Sequence, residues 1–138
     1  MKERISRLDY FKEMVQVVSK RATCGRACQG AIIVKENRVI STGYNGPVSR
    51  SKHCEELGCN VNESCKVSVH AEANSIYFAA KHGIATEGAS LYCSTAPCHL
   101  CAQAIIQAGI TEVFYINDYR DRAGIEILES SKVEVSKL

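Results

Sequence analysis

Tryptophan is absent, proline occurs twice, and aromatic residues make up 7% of the 138-residue chain. So few aromatics argue against a platform for stacking single-stranded bases, which needs aromatic side chains set among many basic ones. An excess of one charge is also lacking: 17 basic residues face 15 acidic ones, for a net +2. That balance provides no grip on nucleic acid or on an anionic membrane. No apolar run approaches the ~18 residues of a membrane-spanning helix. The opening MKERISRLDYFKEM mixes charges throughout and has no apolar stretch like that of a secretory signal. The expectation is a soluble, cytoplasmic protein with neither nucleic acid nor membrane as partner. Hydrophobic residues at 46% and charged residues at 23% form an ordinary globular mix. The length fits a single domain over residues 1–138. A domain of this size buries roughly 68–70% of its unfolded surface, enough for a core without disulfide staples.

What the chain has in abundance is cysteine: eight, at positions 24, 28, 54, 59, 65, 93, 98 and 101. In a reducing compartment that count points to metal or catalysis rather than to disulfides.

Ile5, Leu8, Phe11, Val15 and Val18 recur at steps of three and four, which predicts an amphipathic helix over residues 4–20. Residues 30–34 and 39–44 read as two strands joined at Glu36-Asn37, a β-hairpin. Residues 45–67 read as a long loop carrying three of the cysteines, and loops of that length are usually constrained or functional. A helix follows over 69–82, with Gly83 where a left-handed cap belongs. Then come a strand over 89–93, a helix over 97–108 with Pro97 in its first turn and Gly109 past its end, and a strand over 113–116. Residues 120–130 are weakly helical, and 133–135 form a last strand. Strands alternating with helices in the second half predict an α/β fold, with a mixed sheet carrying helices on both faces.

Two motifs fall at helix starts: His70-Ala71-Glu72 and Pro97-Cys98-His99-Leu100-Cys101. Taken singly, a histidine at a helix start is more often a cap or a solvated residue, and a Cys-x-x-Cys can be a redox pair. Their conjunction says more. Cys98 and Cys101 share one helix face, and a helix N-terminus stabilises the thiolate that binds metal. One imidazole and two thiolates leave the fourth tetrahedral position of a zinc ion open, the mark of a catalytic site. Zinc there lowers the pKa of water toward ~7. Glu72, two residues past His70, is placed to take a proton from that water and return it to a substrate.

H-x-E followed by P-C-x-x-C is the signature of zinc-dependent nucleobase deaminases. The wider text is similar to deoxycytidylate deaminases: Gly43-Tyr44-Asn45-Gly46, His53-Cys54, His70-Ala71-Glu72-Ala73-Asn74-Ser75-Ile76 and Gln107-Ala108-Gly109-Ile110. The resemblance runs from Arg21 to Leu128. It implies a three-layer α/β/α cytidine-deaminase-like fold around a mixed sheet of about five strands. It implies hydrolytic deamination of dCMP to dUMP and ammonia, with a zinc ion on His70, Cys98 and Cys101 and Glu72 as proton carrier. Ala71 then contacts the exocyclic amine through its peptide unit, and Thr95 belongs to the wall along the base. Asn45 then meets sugar or phosphate, a plain strand-ending Asn-Gly turn being the other reading. Tyr119 and Arg120, just past the fourth strand, are placed either to reach the phosphate or as ordinary surface residues. The family also implies a homo-oligomer (a hexamer), activated by dCTP with Mg²⁺ and inhibited by dTTP, and dCTP is a substrate of some relatives. Gly43, Asn45, Gly46 and Lys81 are the candidate effector residues; Lys81, one helical turn beyond Tyr77 and Phe78, reads otherwise as a solvated helix lysine. The alternative is a zinc deaminase of another base or nucleoside, such as guanine, cytidine or a tRNA or DNA base, or a zinc-stabilised binding module without activity.

Cys24, Cys54, Cys59 and Cys65 remain, with His53 beside Cys54 as a possible substitute ligand. Four soft ligands fit a closed structural zinc that would hold the long loop, and relatives often carry a second zinc in this region. Free or merely buried thiols are the other reading. Cys28 and Cys93 read as small core hydrophobes.

Overall fold

Glu36 and Asn37 both take positive φ, 52° and 62°, and turn β1 (Gly30–Lys35) back along β2 (Arg38–Tyr44). Positive φ at both central residues is the geometry of a tight hairpin turn whose twist matches its strands. The computed structural model describes residues 1–59 and 64–138. Within it, α1 (Arg7–Ser19) precedes the hairpin, and a short α2 (Cys54–Leu57) and α3 (Ala71–Lys81) follow it. Next come β3 (Ser90–Thr95), α4 (His99–Gln107), β4 (Glu112–Asn117), α5 (Ala123–Ser130) and β5 (Glu134–Lys137). The strands form one mixed sheet in the order β2-β1-β3-β4-β5. β1 runs antiparallel to β2 and β3, and β4 runs parallel to β3 and β5.

Alternation along the strands separates two apolar layers. Ala31, Ile33, Leu91, Cys93, Val113 and Tyr115 face α3, α4 and α5, where Ala102, Ile105, Ile125 and Leu128 complete the larger core. Ile32, Val34 and Tyr92 face the opposite way, onto Phe11 and Val15 of α1. Helices therefore cover both faces, and the sheet is mixed and five-stranded, as expected. Gly83 and Gly109 both take positive φ just past α3 and α4. Behind them Ile84 N donates to Ala79 O at 2.9 Å and Ile110 N to Ile105 O at 3.3 Å, which closes each helix with a Schellman cap.

The structure corrects three local expectations. The first helix starts at Arg7 because the Ser6 hydroxyl accepts from Asp9 N, so Ile5 lies before it and is exposed, as is Leu8. The stretch read as a continuous loop contains α2, where His53 N donates to Glu56 Oε1 at 3.1 Å, and Gly46 bridges to Val69. Cys28 is exposed rather than in the core, because it lies on the irregular segment ahead of β1, with its thiol on Ala22 O at 3.4 Å. Cys93 is buried in the main core.

Candidate active site

His70 and Cys98 are the N-cap residues of α3 and α4. Both have extended backbone, with ψ of 152° and 171°, while their carbonyls already accept the first helical hydrogen bonds from Asn74 N and Ala102 N at 2.9 Å. Neither side chain caps its own helix, so both are free to turn outward. Glu72 and Cys101 follow in the first turns. β1 and β3 are neighbours in the sheet, and α3 packs against α4, so the two helix starts meet at one edge.

There His70 Nδ1 stands 3.3 Å from Cys101 Sγ and 3.6 Å from Cys98 Sγ. A nitrogen and a sulfur on one tetrahedral zinc are about 3.6 Å apart, given metal distances of about 2.1 and 2.3 Å. The three residues fit the ion. Among the described residues they are the only group of at least three His, Cys, Asp or Glu whose donor atoms lie within 4.8 Å of one another. Glu72 Oε2 lies 3.8 Å from Cys101 Sγ, and Glu72 is buried.

The electrostatics follow from this crowding. Hydrogen bonds from Cys101 and His70 hold the Cys98 thiol down at about 3, whereas the Cys98 sulfur and burial push Cys101 up. Cys98 in turn raises the His70 pKa. Burial raises the Glu72 pKa, the direction that favours a carboxyl holding a proton.

A cleft of about 360 Å³ opens onto this cluster. It is lined by His70, Glu72 and Cys98, and also by Asn45, Ala71, Thr95, Tyr119 and Arg120, which the sequence singles out for substrate contact. Arg120 stacks over the Tyr119 ring, 5.7 Å from its centre. Asn45 is buried, and its amide is engaged with the chain ahead of β1. The candidate effector residues divide between two places. Asn45 lies in this cleft, while Gly43, Gly46 and Lys81 line a neighbouring one of about 380 Å³ beside Tyr77 and Phe78.

The remaining cysteines gather more loosely. Cys54, Cys59 and Cys65 border a third cleft, and Cys24 and Cys65 border the active-site cleft. Burial raises the Cys54 pKa, and so do the charges of Cys24, Cys65 and Cys59. Arg26 N donates to Cys24 Sγ and Ser68 N to Cys65 Sγ, each at 3.4 Å. These four sulfurs do not close to coordinating distance, and exposed His53 joins no ligand group among the described residues.

Residues that the motifs do not reveal also build the site. Arg26 and Gln29 line the cleft. Gly43 lies under the first turn of α3, where an added Cβ would come 2.6 Å from Ser75 N. Gly124 of α5 lies against the start of α4 in the same way, an added Cβ falling 2.9 Å from the Cys98 carbonyl. Arg26, two residues past Cys24, had a local signal in its positive charge within a cysteine-rich turn; the two glycine contacts had none.

Residues 5–117 match the family model described as the cytidine and deoxycytidylate deaminase zinc-binding region. The chain belongs to this family. It is 38% identical to ComE operon protein 2 of Bacillus subtilis, over 99% of this chain and 73% of that protein. It is 36% identical to the deoxycytidylate deaminase of Schizosaccharomyces pombe over 91% of its own length, yet spans 42% of that enzyme. The crystal structure of dCMP deaminase from the cyanophage S-TIM5 in complex with dCMP and dUMP superposes with a TM-score of 0.90. That pair is 29% identical and covers 99% of this chain and all of the phage chain. The fold is therefore the cytidine-deaminase-like α/β fold of that deaminase. No helix among the described residues is long and apolar enough to cross a membrane.

Proposed function

We propose that the protein is a deoxycytidylate deaminase, hydrolysing dCMP to dUMP and ammonia. The observation that carries this reading is the buried Glu72 carboxyl beside a His–Cys–Cys metal triad, with His70, Glu72 and Cys98 lining one cleft. The name of the S. pombe relative and the nucleotides in the cyanophage structure support dCMP as substrate.

His70, Cys98 and Cys101 would hold zinc, which when bound supplies a Lewis acid that makes water a nucleophile at neutral pH. The chain does the rest. Glu72 takes a proton from the attacking water and delivers it to ring N3 of cytosine. It then passes the second proton to the departing amine, which leaves as ammonia. The Ala71 peptide unit receives the exocyclic amine, and Thr95 stands along the base. Arg26, Tyr119 and Arg120, which line the same cleft, meet the phosphate. Asn45 faces the sugar.

The finer assignments belong to the same proposal. Cys24, Cys54, Cys59 and Cys65 hold a second, structural zinc. The Ser68 N–H on the Cys65 sulfur supports it, because such a donor favours thiolate. A triphosphate effector with Mg²⁺, dCTP or dTTP, sits in the cleft of Gly43, Gly46 and Lys81. A homohexamer forms, and the enzyme acts in the cytoplasm as one domain over residues 1–138.

Ammonia release from dCMP, dCTP, cytidine and guanine tests the reading, with dCMP and dCTP each assayed with and without dTTP. The expected result is turnover of dCMP well above cytidine and guanine. Preference for cytidine or guanine would overturn it.

A further inference from the structure

One side of the active-site cleft is a hydrogen-bonded ladder with a free end. Asn45 Oδ1 accepts from Gln29 N at 2.8 Å, Asn45 N donates to Gln29 O at 3.3 Å, and Asn45 Nδ2 donates to Ala27 O at 2.9 Å. Both backbone polar atoms of Gln29 are therefore engaged. Its side chain is held at one end: the Thr95 hydroxyl donates to Gln29 Oε1 at 2.9 Å. The other end, Nε2 with its two N–H donors, has no hydrogen-bond partner among the described residues. No buried side-chain nitrogen or oxygen among them lacks a partner, so this amide is reached by solvent. Gln29 and Thr95 line the same cleft as His70, Glu72 and Cys98.

We propose that Gln29 is a substrate-recognition residue whose Nε2 donates a hydrogen bond to an oxygen of the nucleotide in the cleft, with Thr95 holding the opposite end of the amide. The inference rests on the deaminase reading and adds a specificity residue to it. A free glutamine loses much rotamer freedom when it engages a ligand. Here the carbonyl end is already tied, so the plane of the amide and the direction of its donors are set beforehand, and less is lost on binding. The matching acceptor on dCMP is a neutral oxygen, either the pyrimidine carbonyl O2 or the deoxyribose 3′ hydroxyl.

The test uses the full chain loaded with zinc. Gln29→Glu keeps an oxygen for Thr95 and replaces the donor with an acceptor; Gln29→Met removes both polar ends at similar length. Steady-state kinetics on dCMP and calorimetric binding of dUMP are measured together with zinc content and melting temperature. Both variants are expected to raise KM for dCMP and Kd for dUMP by about tenfold with kcat within about threefold, zinc and melting temperature being retained. Two analogues then identify the acceptor: 2-thio-dCMP weakens the carbonyl, and 2′,3′-dideoxy-CMP removes the hydroxyl. On one of them the wild type should fall to the level of the variants, while the variants lose nothing further.

The inference is overturned if both variants bind dUMP and dCMP within about twofold of wild type. It is equally overturned if neither analogue narrows the gap. A wild type that binds dUMP without deaminating dCMP would sink the deaminase reading alone, and the dUMP measurements would still decide on Gln29. A wild type that binds neither nucleotide would sink both.

Discussion

Gly124 of α5 packs directly against Cys98: a Cβ in its place would stand 2.9 Å from the Cys98 carbonyl carbon and oxygen. The residue that starts α4 and offers its sulfur to the metal is therefore seated by a glycine one helix away. Gly124→Ala should force the Pro97–Cys98 backbone outward. The expected cost is about 1–3 kcal/mol of stability, as for other overpacked contacts, together with a lower zinc content. Chemical unfolding and metal analysis of the purified variant measure both. Full zinc loading at wild-type stability would show that the contact is slack.

Glu72 is expected to act on protons rather than on the metal. Glu72→Ala should keep the zinc of His70, Cys98 and Cys101 while losing about 10²–10⁴ in kcat. Deamination at near wild-type rate would end the role assigned to this carboxyl.

Zinc stoichiometry tests the cysteine cluster. Two zinc ions per chain are expected in the wild type and one in Cys54→Ser, with the remaining ion lost on Cys101→Ser. A single ion in the wild type would leave Cys24, Cys54, Cys59 and Cys65 as free thiols.

Asn45 is buried, and its amide satisfies Gln29 N and Ala27 O. Asn45→Ala should cost about 1–3 kcal/mol, since both backbone groups lose their partner. It should also raise KM, because the segment carrying Arg26 and Gln29 loses its tie. Unchanged urea midpoint and KM would mean that water replaces the amide.

Alkaline stability depends on two neighbours in β3. Burial raises Tyr92, which stacks on Phe114 with ring centres 4.5 Å apart, and pushes the Cys93 thiol well above its ordinary value. Both hold their proton more tightly folded than unfolded. Their contribution is complete below the ordinary values of 9.0 for Cys93 and 10.0 for Tyr92, and is lost as pH rises through the folded values. Melting temperature should hold at pH 7–8 and decline above about pH 9, with a shallower upper slope in Tyr92→Phe. Identical slopes in the two proteins would remove Tyr92 from this role.

Much of the site was legible from local rules. A histidine and a glutamate two apart, and two cysteines three apart behind a proline, have their relative positions set by one helix turn, which is why His70, Glu72, Cys98 and Cys101 could be named together. Cys28 is exposed where its residue type suggests a core position, because burial of a small residue depends on what surrounds it. Ile5 and Leu8 fit a helical stripe by spacing, but the Ser6 cap puts Ile5 outside the helix and Leu8 stays exposed, so Phe11 and Val15 are the buried positions along it.

By itself the sequence determined the order of helices and strands, the chemistry of the ligand set and the presence of a carboxyl next to it. These depend on neighbours within a few residues, where backbone geometry leaves little freedom. Only the tertiary structure decided that the two helix starts share one sheet edge at 3.3 Å between His70 and Cys101, that Gly43 and Gly124 leave room for them, and that Gln29 shares a cleft with Glu72. Those relations join residues tens of positions apart, and they exist only once the strands have paired and the helices have closed over the sheet.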